Sequence, residues 1–355
     1  MSSCCNTPQP EQSCHDEHSS VDYLLWGSLI CTVVFYLLHW LFPHIIAGID
    51  WAIIVAESVF SLMNIIWWGI LLGIVMLALL SKVPREFVIS ILGTGTGFAG
   101  ILRAAIGGVL LDLCSHGILM VGAKLYERGA SVGQVMAFLI ASPWNSFSLT
   151  LILVALIGIK WTLFFIIASM IIAIFTGWIF DLLERKGVLP ENPNTIELPD
   201  NFEFTKEAKL QLANAQFNST TFFEMAKSGL LDSRMVLRWI LFGVLLASVI
   251  RALLDVSIFQ QYFGPTMIGL LFTLLAATII EVCSEGSTPI AADLLTRAKA
   301  PGNSFAFLMA GVSTDYTEVM VLKDTTKSWK IALFLPLITV PQIFIIAWLV
   351  NIQSI

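Results

Sequence analysis

Charge is what this chain has least of. Asp, Glu, Lys and Arg make up 12% of its 355 residues, about half the roughly 25% usual in soluble domains. The net charge of −6 leaves no basic surface, which excludes direct nucleic-acid recognition as the main activity. Catalytic signatures are missing as well. No HExxH pattern, phosphate-binding glycine loop or nucleophile–base spacing occurs, so the chain does not read as an enzyme and implies no cofactor. The first twenty residues are polar and lack the basic start of a cleavable signal peptide. The first hydrophobic run therefore reads as a retained anchor.

What fills the chain is apolar. Hydrophobic residues reach 57%, and they gather in runs of about 20 residues, the length a helix needs to cross a bilayer. The fold expected is an all-α polytopic membrane protein. Its runs cover residues 22–42, 62–80, 87–113, 131–158, 161–183, 235–254, 262–282, 302–322 and 331–350. Two shorter segments, 115–127 and 287–297, contain polar residues and are ambiguous as spans. Residues 184–234 hold eight acidic and six basic residues and read as a linker between two membrane halves. Pro190, Pro193 and Pro199 make its start extended, and 206–231 suits an amphipathic surface helix. The expected organisation is a flexible Cys/His tail over 1–21, an extra N-terminal helix over 22–43, a first membrane unit over 50–183, the linker, and a second unit over 235–355.

The two units resemble each other. Cys114-Ser-His-Gly recurs as Cys283-Ser-Glu-Gly, 169 residues later. At that offset, residues 114–141 lie over 283–310 without a gap, and eleven of 28 positions are identical. Apolar bias alone does not easily place a Cys, a Ser, an Arg and two Gly in register. Each unit then has about five segments. If the short segments cross, the crossing number per unit is odd and the repeats are inverted; if they re-enter, the repeats are parallel. The basic residues favour inversion. Twelve fall on one side, the linker's six among them, against Lys160, Arg297 and Lys299 on the other. By the positive-inside rule the linker, and with it the N-terminus, is expected on the cytoplasmic side of the membrane.

Inverted repeats with matched helix breaks are a signature of secondary transporters, whose broken helices hold cargo near the midplane. The candidate substrate-binding residues are Cys114, Ser115, His116, Gly117, Cys283, Ser284, Glu285, Gly286, Ser287, Thr288, Asn145 and Thr314. Asp112, Glu281, Glu285 and Asp315 are candidates for proton or cation coupling, because ionisable groups inside a membrane are costly and usually serve a path. Glu318 is a further ionisable residue beside these runs; for it and Asp112 the bland alternative is an interfacial position, where charge is cheap. Arg103 is placed to pair with one of these carboxylates, while Arg128 and Arg297 read as interfacial anchors. Two thiolates with a nearby imidazole suit Cu(I), Zn(II) or trivalent arsenic; the bland alternative is that both cysteines are small packing residues. In the tail, Cys4, Cys5, Cys14, His15 and His18 form a second group of soft ligands without zinc-finger spacing, fit for metal capture or sensing.

At these motifs the chain resembles the bacterial predicted-permease family that includes the organoarsenical efflux permease ArsP. The resemblance rests on Cys114-Ser-His-Gly, Glu127-Arg-Gly-Ala-Ser131, Ala137-Phe-Leu-Ile-Ala-Ser-Pro143, Cys283-Ser-Glu-Gly-Ser-Thr-Pro289 and Ala306-Phe-Leu-Met-Ala-Gly311. It covers most of the chain from about Leu62 onward. It implies a multi-pass inner-membrane permease that exports metalloids or metals. His116 stands near a second cysteine of many members, which leans the site toward copper or zinc. The partners expected are the lipid bilayer, a soft metal or metalloid substrate and possible further copies of the chain. Two other readings stay open: a permease for an unrelated small solute, and a metal-sensing partner subunit.

Overall fold

A computed structural model of the chain describes residues 22–46, 48–80, 97–110, 115–127, 129–141, 147–194, 219–280 and 284–354. Among these residues the secondary structure is helical throughout, with no strand. That follows from a bilayer solvent, which offers no partner to an open sheet edge. The helices are α1 (Tyr23–Leu41), α2 (Pro43–Ile46), α3 (Asp50–Leu80), α4 (Phe98–Leu110), α5 (Ser115–Glu127), α6 (Val132–Ala141) and α7 (Phe147–Arg185). After the connector come α8 (Ser219–Leu253), α9 (Val256–Phe263), α10 (Met267–Ile280), α11 (Ser284–Thr296), α12 (Pro301–Thr314), α13 (Tyr316–Thr326) and α14 (Trp329–Ser354).

Among the described residues five stretches are long and apolar enough to span a bilayer: Tyr23–Leu41, Asp50–Leu72, Leu149–Arg185, Pro301–Thr326 and Trp329–Gln353. A sixth is counted if α8 and α9, bent by 106° at their junction, form one broken span. The chain is therefore a multi-pass membrane protein. Its exposed surface carries large apolar side chains, among them Trp26, Trp67, Ile171 and Leu275, as lipid contact requires.

Several helix limits differ from the apolar runs. The run 131–158 holds two helices, α6 and the start of α7. The run 302–322 is split at Asp315, whose carboxylate accepts from Thr317 N–H at 2.7 Å and caps a new helix. Helix α8 begins at Ser219, so the second half of the expected surface helix is continuous with the next span. Pro289 lies inside α11.

Helix α7 carries a break at Gly158 (φ 80°, ψ 160°), a conformation open to glycine alone. Lys327, between α13 and α14, also has positive φ (54°). These two breaks are 169 positions apart. So are the starts of five helix pairs: α3 and α8, α4 and α10, α5 and α11, α6 and α12, and α7 and α13.

One apolar core runs through both halves, from Val55 to Ala347. Phe165 and Phe305 meet across it with ring centres 5.4 Å apart, and Gln342 Nε2 donates to Thr176 Oγ1 at 3.0 Å. Helices α6 and α12 lie deepest; every residue of α6 is buried. Each starts against the far end of a long helix. Ser131 Oγ donates to Asp181 Oδ1 at 2.8 Å beside α6, and Gly302 N–H donates to Asn351 Oδ1 at 2.8 Å in α12. At α12 a side-chain oxygen thus satisfies a backbone N–H, and at α6 Ser131 Oγ, held by Asp181, accepts from Gln134 N–H at 3.2 Å; an unpaired N–H at either buried helix start would be costly. Helix α1 packs on α3 and α8 from outside and is tied down by Arg238 Nη1 to Asp22 Oδ2 at 3.1 Å.

Candidate functional site

The second Cys-Ser-x-Gly motif opens α11. Ser284, Glu285, Ser287 and Thr288 are all buried in its first turns. Thr288 Oγ1 donates to Ser284 O at 2.9 Å. Ser284 Oγ has no hydrogen-bond partner among the described residues. Glu285 places a carboxylate in the first turn of α11, where the exposed N–H groups and the helix dipole favour negative charge. Gly286 lets α8 come close. A Cβ built on Gly243 would lie 2.9 Å from Gly286 Cα, so two glycines set the spacing between these helices.

A second polar layer lies at the break between α12 and α13. The hydroxyls of Thr278 and Thr314 are 3.0 Å apart, joining the ends of α10 and α12. Asp315 follows at once as the cap of α13. One turn on, Glu318 is only 6% exposed. The fold encloses it.

Cross-packing relates the two motifs. Helix α11, which carries the second motif, packs against α7, and α5, which begins at Ser115 of the first motif, packs against α13. Ser115, His116 and Gly117 thus occupy the first turn of α5. Asp112, Cys114, Asn145, Glu281 and Cys283 lie outside the described residues, as do Cys4, Cys5, Cys14, His15 and His18 of the tail. Among the described residues no group of three or more His, Cys, Asp and Glu is placed to hold a metal.

A charged cluster at the other end of α11 escaped the reading of the sequence. Asp293 is 1% exposed. It accepts from Arg251 Nε at 2.9 Å and Arg251 Nη2 at 2.5 Å, and lies 3.6 Å from Arg297 Nη1. The Arg297 guanidinium sits over the Phe259 ring at 5.5 Å, and Gln260 Nε2 donates to Arg297 O at 2.8 Å. Arg297 therefore belongs to an ion cluster built on a buried carboxylate. The i, i+4 spacing of Asp293 and Arg297 was the available signal. Arg103 instead donates to Ala99 O of its own helix at 3.2 Å, and no carboxylate among the described residues pairs with it.

The family model described as a predicted permease, ArsP_1, matches residues 52–352. The chain belongs to this predicted-permease family. It is also 24% identical over 314 residues to the UPF0718 protein MJ0584 of Methanocaldococcus jannaschii, an alignment that spans 73% of this chain and 84% of that protein. No solved structure matches significantly. Family membership and the apolar helices together make this chain a membrane permease in type, with the bilayer as its solvent.

Proposed function

We propose that this permease is a secondary transporter that exports a soft metal, metalloid or organometal species by alternating access. Two five-segment repeats in inverted orientation form its frame. Cys114, Ser115, His116 and Gly117 of one repeat, with Cys283, Ser284, Glu285, Gly286, Ser287 and Thr288 of the other, bind the cargo. Asn145 and Thr314 line the path. Asp112, Glu281, Glu285 and Asp315 carry the coupling charge. The chain resides in the inner membrane with its N-terminus and linker in the cytoplasm, where the tail cysteines stay reduced and can capture metal.

One observation carries the reading. The two Cys-Ser-x-Gly motifs stand at the starts of two 13-residue helices, α5 and α11, and each helix is packed by the broken helix of the other half. That crosswise arrangement is what a two-fold related pair of half-sites requires, and rocking one half against the other would expose it to alternate sides. The test uses a metal-sensitive bacterial host challenged with arsenite, Cu(I) salts and Zn(II). Cys114→Ser and Cys283→Ser each abolish resistance without lowering the protein level. Unchanged resistance in both variants removes the thiol site.

A second reading is favoured by the tight seat of Gly286 on Gly243. It makes the motif a packing device in a permease for an unrelated solute. That reading expects flux indifferent to thiol-blocking reagents.

A further inference from the structure

We infer that Glu318 is the site where this permease holds its coupling proton, with Asp315 as the entrance through which the proton arrives. The inference rests on the transporter reading, and it moves the principal coupling group to a residue outside the four carboxylates nominated above.

Position comes first. Glu318 lies in the first turn of α13 and is buried, whereas Asp315, one turn earlier at the break, is half-buried. The pair runs from a partly accessible carboxylate to an enclosed one. Surroundings come second. Helix α13 packs against α5, α12 and α14. Helix α12 has no ionisable residue, and the one ionisable residue of α14 is Lys330, which is exposed. On α5, Lys124 and Glu127 pair with each other at 2.6 Å on the surface, and His116 lies in the first turn. On α13 itself Lys323 is engaged by Asp324 at 2.7 Å. Among the described side chains no cation pairs with Glu318, and the charge that acts on it is the like charge of Asp315.

An enclosed carboxylate facing a second carboxylate is a poor anion, and it becomes acceptable when it takes up a proton. A hard metal ion is a poorer occupant, since it wants six or more oxygens and no such cluster is present among the described residues. Placement against α5 supplies the coupling. With Glu318 neutral, the α13–α5 contact can close over it. With Glu318 ionised, the carboxylate needs water and the contact is driven open. Because α5 begins at the first Cys-Ser-x-Gly motif, opening this contact changes access to the proposed cargo site. The step is a proton transfer alone: a proton from the aqueous side binds a Glu318 oxygen and leaves to the other side after the contact reverses.

The purified full chain in lipid vesicles tests this in two ways. Infrared difference spectra between acid and alkaline buffer report the carbonyl stretch of a buried protonated carboxyl. Glu318→Gln removes that band, and Glu318→Asp restores it at a shifted frequency. A band that survives in Glu318→Gln overturns the assignment. In the second arm, arsenite is the probe. Glu318→Gln loses arsenite accumulation driven by a pH gradient but keeps arsenite–arsenite exchange. Gradient-driven accumulation equal to the unsubstituted protein overturns the coupling role. If the unsubstituted protein moves no arsenite, the export reading for this metalloid fails by itself, and the infrared arm still decides Glu318. Glutamine is isosteric with the protonated acid, so the variant tests charge rather than packing.

Discussion

Replacing Gly243 with alanine probes the glycine-on-glycine contact that seats the second motif. The added Cβ would stand 2.9 Å from Gly286 Cα and 3.0 Å from Gly286 C, and closer still to Gly286 O. Carbon atoms pack comfortably at about 3.5–4.0 Å, so the two helices must part by roughly 0.5–1 Å. The obstacle is backbone, which cannot rotate aside. Overpacking of this kind costs about 1–3 kcal/mol, and backbone-on-backbone contact belongs at the upper end. Alanine's better helix propensity returns about 1 kcal/mol. The net loss is therefore about 1–2 kcal/mol. Gly311→Ala is the control. It sits inside helix α12 with nothing within 4 Å of its would-be Cβ, so it receives the propensity gain without the clash. Equilibrium unfolding in mixed micelles should place Gly243→Ala about 2–3 kcal/mol below Gly311→Ala. If the two variants are equally stable, helices α8 and α11 are not held at this distance, and the packing account of Gly286 is wrong.

The Asp293 cluster makes an ordering. Asp293→Ala leaves two half-buried guanidinium groups without their carboxylate and costs about 3 kcal/mol, the low end for a broken buried pair. Arg251→Met costs less, because Arg297 still faces Asp293; thermal unfolding of the two variants checks the order. The break at Gly158 has a ψ of 160° at positive φ, which alanine adopts only at about 1–3 kcal/mol. Gly158→Ala should lower the melting temperature, whereas Lys327→Gly should hold or raise it, since glycine is the easier occupant of a left-handed helix end.

Much of this architecture is legible in the sequence because a bilayer enforces it. The short polar segment at 115–127 is a helix with those limits, and the 169-residue spacing first seen in Cys-Ser-x-Gly reappears in helix starts that share no obvious motif, such as Asp50 and Ser219. Breaks were harder. The split at Asp315 falls at a short polar stretch, Ser313 to Glu318, inside a longer apolar run, and the side-chain cap that starts the new helix there is not announced by periodicity. Continuity was harder too. Polar residues from Ser219 to Arg234 suggest a surface helix that ends, yet a helix that leaves the bilayer into water has no reason to stop at the interface. Glu318 and Asp293 could not be ranked by sequence, since enclosure depends on which helices arrive from the other half. For the candidate site, the second motif's environment is visible down to Ser284 Oγ and the Gly243–Gly286 contact, which no periodicity predicts.

The end of the first half has a practical consequence. Asn192 Nδ2 donates to Tyr126 O at 2.7 Å and to Ala130 O at 2.8 Å, and its own N–H donates to Glu184 Oε1 at 3.2 Å. The opening of the connector is thus stapled onto the turn between α5 and α6 and belongs to the first half. A gene split for co-expression of two fragments should therefore cut beyond Asn194. A cut placed at Gly187, straight after the long helix, would strip two carbonyls of their donor and leave the first fragment with a frayed edge.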